Sequence, residues 1–206
     1  MFIVEKEPKS IAAESYRTLR TNIQYSSFDK EYRAIAVTSS EPEEGKSTTA
    51  GNLALCMAQG DKKVMLIDCD LRKPSIHKKF KISNIVGLSD VIVGKESLEN
   101  AVHRYNKNMT VLTSGKIPPN PSEMLSSKTM SKLIEHLKEE FDYVILDTPP
   151  VQAVTDSQIL STKVDGTILV VRADRTKKDG VQNAISLLKK VNANIIGTVL
   201  NGVDTS

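Results

Sequence analysis

Cysteine is scarce in this sequence: Cys56 and Cys69 are the only two in 206 residues, and they stand in no metal-ligand spacing. A disulfide scaffold or a structural zinc site needs more than that, so both are excluded, and each cysteine is expected beside a buried element. Long apolar runs are lacking as well. Stretches such as Val64-Met65-Leu66-Ile67 fall far short of the roughly 20 residues that cross a bilayer. No N-terminal stretch carries the apolar centre of a signal peptide. The expectation is a cytoplasmic protein, held by something else if it works at a membrane. Charge of one sign is not in excess either: 28 Lys and Arg face 25 Asp and Glu, a formal +3, too little for a nucleic-acid surface. The three histidines, His77, His103 and His136, show no metal spacing.

What is present suits one globular domain spanning 1–206, with 39% hydrophobic and 26% charged residues. A helix is expected over 9–28, capped by Ser10 and carrying Ile11, Leu19 and Ile23 at helical spacing, ahead of a core over about 32–204. Apolar runs predict strands at 32–39, 63–68, 109–113, 143–147, 167–171 and 195–200. Helices are expected from Gly45 to about Gln59, over 122–140, and over 178–191. The strand runs are continuous rather than alternating, which means burial on both faces, as in a parallel sheet covered by helices. The predicted fold is therefore a doubly wound, mostly parallel α/β domain. Ligands of such sheets bind at the carboxyl ends of the strands, and the motifs of this sequence fall there.

After the first strand comes Ser40-Glu41-Pro42-Glu43-Glu44-Gly45-Lys46-Ser47-Thr48. Gly45, Lys46 and Ser47 match the phosphate-binding Gly-x4-Gly-Lys-Ser/Thr pattern, while Ser40 stands where its leading glycine would be. A loop opening a helix aims backbone N–H groups at one spot, and the helix dipole adds to the attraction for anions. In this reading Glu44 through Thr48 bind the nucleotide, Lys46 bridges the β- and γ-phosphates, and Ser47 ligates Mg²⁺. The acidic Glu43 and Glu44 side chains are expected to point away.

Two further strands end in carboxylates: Leu66-Ile67-Asp68-Cys69-Asp70-Leu71-Arg72-Lys73-Pro74 and Val144-Ile145-Leu146-Asp147-Thr148-Pro149-Pro150. A buried carboxylate is expensive unless paired or bound to metal. Asp147 suits the Walker B role of holding Mg²⁺. Asp68 and Asp70, two apart, would share a face of an ideal strand, one positioned to take a proton from a hydroxyl and the other to face the metal. A helix cap is the competing role for an aspartate ending a strand. Asn201, just after the last strand, is a candidate adenine contact or a turn former. The basic run Arg72, Lys73, His77, Lys78, Lys79, Lys81 is the best candidate anion-binding surface, read as solvated and bordering the nucleotide.

Together these segments resemble the bacterial tyrosine kinases, often called BY-kinases, of capsule and exopolysaccharide synthesis. The resemblance runs from Glu14-Ser15-Tyr16-Arg17-Thr18-Leu19-Arg20 through Walker A (40–49), Walker A′ (64–74) and Pro118-Pro119-Asn120-Pro121-Ser122-Glu123-Met124-Leu125 to Walker B (144–150). It implies an ATP- and Mg²⁺-dependent protein-tyrosine kinase. Asp68 would be the base for the incoming tyrosine, with Ser47, Asp70 and Asp147 serving Mg²⁺, Lys46 stabilising the transferred phosphoryl group and Arg72 at the nucleotide. It further implies a ring-like homo-oligomer held by Glu14, Arg17 and Arg20, which otherwise read as a solvated helix face with weak ion pairs. A membrane-protein activator of the polysaccharide co-polymerase type, docking through its cytoplasmic segment, is implied too, with protein tyrosines as substrates and no nucleic acid. The family usually ends in a tyrosine cluster. Here Tyr16, Tyr25, Tyr32, Tyr105 and Tyr143 are scattered, which favours phosphorylation of other proteins over the chain's own.

Two rival readings share the Walker elements. ATPase switches of the Min/Par kind carry a second lysine five positions before the invariant one; Glu41 stands there. A nucleotide-binding module that only assembles and dissociates has no need of the Asp68 base.

Overall fold

The computed structural model describes residues 2–26 and 31–203. Its strands are β1 (Ala34–Ser39), β2 (Val64–Asp68), β3 (Val102–Arg104), β4 (Met109–Leu112), β5 (Tyr143–Asp147), β6 (Gly166–Arg172) and β7 (Ile195–Asn201). They form one sheet in the order β3-β4-β2-β5-β1-β6-β7, parallel throughout except where β3 meets β4. The helices among the described residues are α1 (Ile3–Lys6), α2 (Ile11–Tyr25), α3 (Lys46–Gln59), α4 (Ile76–Phe80), α5 (Leu88–Ile92), α6 (Leu98–Ala101), α7 (Pro121–Ser126), α8 (Lys128–Glu140), α9 (Asp156–Ser161) and α10 (Lys178–Lys190). None is long and apolar enough to cross a membrane.

The continuous apolar runs split by parity, because successive strand side chains point to opposite faces. Ile35, Val37, Val64, Leu66, Ile145, Ile168 and Val170 join a core with α1, α2 and α3. Ala34, Met65, Ile67, Val144 and Leu146 face the other way, onto α5, α7, α8 and α9, and Leu169 packs on Ala184 and Leu188 of α10. The doubly wound, mostly parallel fold expected from the runs is the fold observed. Close approach on the first face depends on Gly51 in α3: a Cβ there would lie 2.2 Å from the Phe2 ring, which stacks at 4.5 Å on Phe80.

Several boundaries differ from expectation. Ser10 caps α2 by accepting from the Ala13 N–H, but the helix covers only Ile11–Tyr25 of the expected 9–28; Ser27 and Phe28 lie outside the described residues, as does Asp204 at the end of the expected core. The single helix expected over 122–140 is two, because Ser127 is extended (ψ 155°) and its hydroxyl caps α8 at the Met130 N–H. β2 ends at Asp68, so Asp70 belongs to the following loop and the shared strand face inferred for the pair does not exist. β5 lies between β1 and β2, with Asp147 in register with both Val37 and Asp68. This insertion brings the ends of β1, β2 and β5, widely separated in sequence, to one place.

Candidate active site

The loop from β1 to α3 is held by its own acidic residues. Gly45 is left-handed at φ 97° and turns the chain into α3. Asn201 at the end of β7 donates its amide to the Glu44 carbonyl at 2.9 Å. The Glu44 carboxylate accepts from the Glu41 N–H at 3.0 Å and from the Thr176 hydroxyl. The Glu43 carboxylate pairs with Arg175 at 3.1 Å. Both acidic side chains thus reach the β6–α10 connection; Glu44 stays clear of the loop's concave side, while Glu43 sits at its edge. That side belongs to a cleft of about 540 Å³ lined by Gly45, Lys46, Ser47, Thr48, Asp70 and Arg72, with Pro149 and Pro150 opposite. Glu44 and Asn201 are not among the lining residues. Each fixes the loop: the Glu44 side chain points away from the cleft, as expected, and the Asn201 amide, a candidate adenine contact, is bonded to the Glu44 carbonyl.

Lys46 is the electrostatic centre. Its ammonium lies 3.0 Å from Asp70 and 3.5 Å from Asp147, and donates to the Ser47 hydroxyl at 3.2 Å. Burial works against its charge, but the two carboxylates outweigh burial and raise its pKa. Asp147 is fully buried and neither of its oxygens accepts a hydrogen bond; burial pushes its carboxyl up, against the pull of Lys46. A carboxylate so placed needs a cation. The Ser47 hydroxyl and the Asp70 and Asp147 carboxylates are hard oxygen donors, the chemistry that suits Mg²⁺. Among the described residues no three His, Cys, Asp or Glu side chains form a complete cation cage.

Asp68 is also fully buried, and it is a helix cap as well as a strand end. One of its oxygens accepts from the Ser75 and Ile76 N–H groups, both at 3.0 Å, fixing the start of α4. The other faces the Asp70 N–H at 3.3 Å. Burial and the neighbouring Asp147 charge push its carboxyl up to about 8. Asp68 does not itself line the cleft, whereas Asp70 does.

Arg72 does line the cleft, clamped by both oxygens of Asp156 at 2.9 and 3.2 Å and by the Ser122 hydroxyl at 3.0 Å. Asp156, fully buried at the start of α9, was missed from the sequence, since nothing local marks an aspartate 84 residues away as the partner of Arg72. Glu14, Arg17 and Arg20 lie on α2, away from this cleft. Glu14 and Arg17 pair at 2.6 Å on the outer face. Arg20 turns inward, donating at 3.0 Å to the Cys56 carbonyl near the far end of α3. Both cysteines are free and buried.

The sequence matches the AAA domain family over residues 32–200. The tyrosine-protein kinase YwqD of Bacillus subtilis (strain 168) is 48% identical over 201 residues, 97% of this chain and 85% of that protein. The kinase domain of Escherichia coli tyrosine kinase ETK is similar in structure at a TM-score of 0.95 and 35% identity, over 98% of this chain and 80% of that one. The septum site-determining protein MinD from Pyrococcus horikoshii, solved with Mg-ADP, shares the fold alone, at a TM-score of 0.71 and 23% identity over 84% of this chain and 72% of that one.

Proposed function

Because this chain belongs to the bacterial tyrosine-kinase family and is a protein-tyrosine kinase, we propose how its residues divide the transfer of the γ-phosphoryl group from ATP to a protein tyrosine. The observation that carries the reading is the Lys46 ammonium, poised between Asp70 and Asp147 at the loop mouth. The backbone N–H groups of Gly45 through Thr48 and the α3 dipole bind the phosphates. Lys46 leaves Asp70 for the β- and γ-phosphates and stabilises the charge that spreads over the γ-oxygens. Ser47, Asp70 and Asp147 would hold Mg²⁺, which when bound would supply positive charge against the phosphates. Asp68 then takes the phenolic proton, the tyrosine oxygen bonds to the γ-phosphorus, the bond to the β,γ-bridging oxygen breaks, and ADP departs with that electron pair.

The raised pKa of Asp68 suits this role. A tyrosine near pKa 10 gives its proton to an ordinary aspartate near 3.9 only steeply uphill. Burial, the largest cause of the upward shift in the nucleotide-free protein, narrows that gap, and it is the ionised carboxylate that takes the proton.

We place this activity in the control of capsular or exopolysaccharide synthesis, with a membrane-protein activator docking through its cytoplasmic segment and keeping the kinase at the membrane. Support comes from the family resemblance. Assembly into a ring through α2 rests on the same resemblance, and the exposed Glu14–Arg17 pair is the contact available to a neighbour. The test is phosphotyrosine formation with Mg-ATP, an activator segment and a tyrosine peptide, comparing wild type with Asp68→Asn. Asparagine keeps an oxygen for the Ser75 and Ile76 N–H groups but cannot take the proton. Phosphotyrosine in the wild type and none in the folded variant is expected. ATP hydrolysis without phosphotyrosine would replace this reading with the Min/Par-like switch.

A further inference from the structure

The basic run after β2 is left unexplained by the transfer chemistry. α4 is fixed at its start by Asp68, and its Ile76 and Phe80 are buried in the core. Lys79, on the remaining face, is thereby aimed into the nucleotide cleft, which it lines. Its ammonium donates to the Thr48 hydroxyl at 2.9 Å. Unlike Lys46, which is matched by two carboxylates, and Arg72, matched by Asp156, Lys79 makes no ion pair among the described residues. A half-buried cation held at the mouth of a helix N-terminus, with no carboxylate opposite, is electrostatically incomplete and favours an anion there.

We propose that Lys79 is a second phosphate-binding cation, one that takes the phosphates common to ADP and ATP rather than the transferring group. The two lysines are divided by their partners. Lys46 touches Ser47, Asp70 and Asp147, the strand-end groups where transfer occurs. Lys79 touches Thr48, one residue further into α3, on the flank of the loop whose N–H groups cradle the α- and β-phosphates. Lys46 must give up a carboxylate to bind phosphate; Lys79 gives up only a hydroxyl. Asp68, by capping α4, sets the position of this cation in addition to its proposed part as base.

The inference rests on the reading of the cleft as a nucleotide site. Its test is calorimetric titration of wild type, Lys79→Gln and Lys79→Arg with ADP, ATP and adenosine at low and high salt. Lys79→Gln is expected to weaken ADP and ATP alike, on the order of tenfold, to flatten the salt dependence, and to leave adenosine binding unchanged. Lys79→Arg keeps most of the affinity. Unchanged ADP affinity in Lys79→Gln would overturn the proposal, and so would an equal loss for uncharged adenosine, which marks a purely structural effect. Failure of the wild type to bind ADP would remove the nucleotide site itself and this proposal with it.

Discussion

Replacing Gly45 with alanine should expose how the phosphate loop is held from a distance. At φ 97° an alanine is strained by about 1 kcal/mol. The new Cβ would also fall 1.9 Å from the Asn201 amide nitrogen and 3.0 Å from the Asn201 Cγ. Asn201 must swing away, breaking its 2.9 Å bond to the buried Glu44 carbonyl, which adds about 1 kcal/mol or somewhat more. Gly45→Ala is therefore expected to cost about 2–3 kcal/mol. Asn201→Ala alone loses only the hydrogen bond, about 1 kcal/mol. In the double variant the amide is gone and the nearest remaining atom, the Cβ of residue 201, lies at 3.8 Å, an ordinary contact. Gly45→Ala should then cost only its backbone strain. The two substitutions are thus predicted to be coupled by about 1 kcal/mol or more, the combined loss being smaller than the sum. Because the chain has no tryptophan, urea unfolding of the four proteins is best followed by circular dichroism. Losses that add to within about 0.4 kcal/mol, as independent sites do, would refute the argument that Asn201 and Gly45 are set by one another.

Other consequences follow from the same packing. Phe2→Ala empties the ring site over Gly51 and against Phe80; a loss of about 3 kcal/mol, read as a fall in Tm of roughly 6–12 °C, is expected, and an unchanged melting curve would show that the N-terminal segment does not belong to the core. Arg72→Ala strips the fully buried Asp156 of its guanidinium and leaves only the Ser122 hydroxyl, which should cost about 1–3 kcal/mol in a thermal melt; no loss would mean the clamp has no structural weight. In the nucleotide-free protein Asp68, at about 8, sits above its unfolded value of about 3.9. Its contribution to stability is therefore complete below the unfolded value and is lost as pH rises through about 8. Urea midpoints across that range should fall in the wild type and flatten in Asp68→Asn, and identical slopes would contradict the assignment.

Much of this molecule was legible in its sequence because burial on both sheet faces leaves unbroken apolar runs, and because the loop, Asp68 and Asp147 sit where those runs stop. Helices of four to six residues such as α4, α5, α6 and α9 are too short to show a period, and the edge strand β3 is only three residues long. The Ser127 break carried a local signal, a serine whose hydroxyl reaches the N–H three residues on, that the surrounding helical spacing outweighed. Asp70 was read as part of the strand because ideal strand geometry was continued past Asp68, where pairing ends. The commitments of Glu44, Asn201 and Arg72 were invisible for another reason: each depends on a partner more than 80 residues away, which only the insertion of β5 and the return of β7 bring near. The competing role of Asp68 as a helix cap is also realised, alongside its place beside Asp147.

The central claim is that the phosphoryl group goes from ATP to tyrosine by way of the Lys46, Asp68, Asp70 and Asp147 cluster. It is tested most directly by counting products. In the presence of the activator segment and a tyrosine peptide, ADP and phosphotyrosine are measured together over the same interval. The account predicts one phosphotyrosine for each ADP, with both lost in Asp68→Asn. ADP accompanied by an equal amount of inorganic phosphate, with no phosphotyrosine, would contradict it.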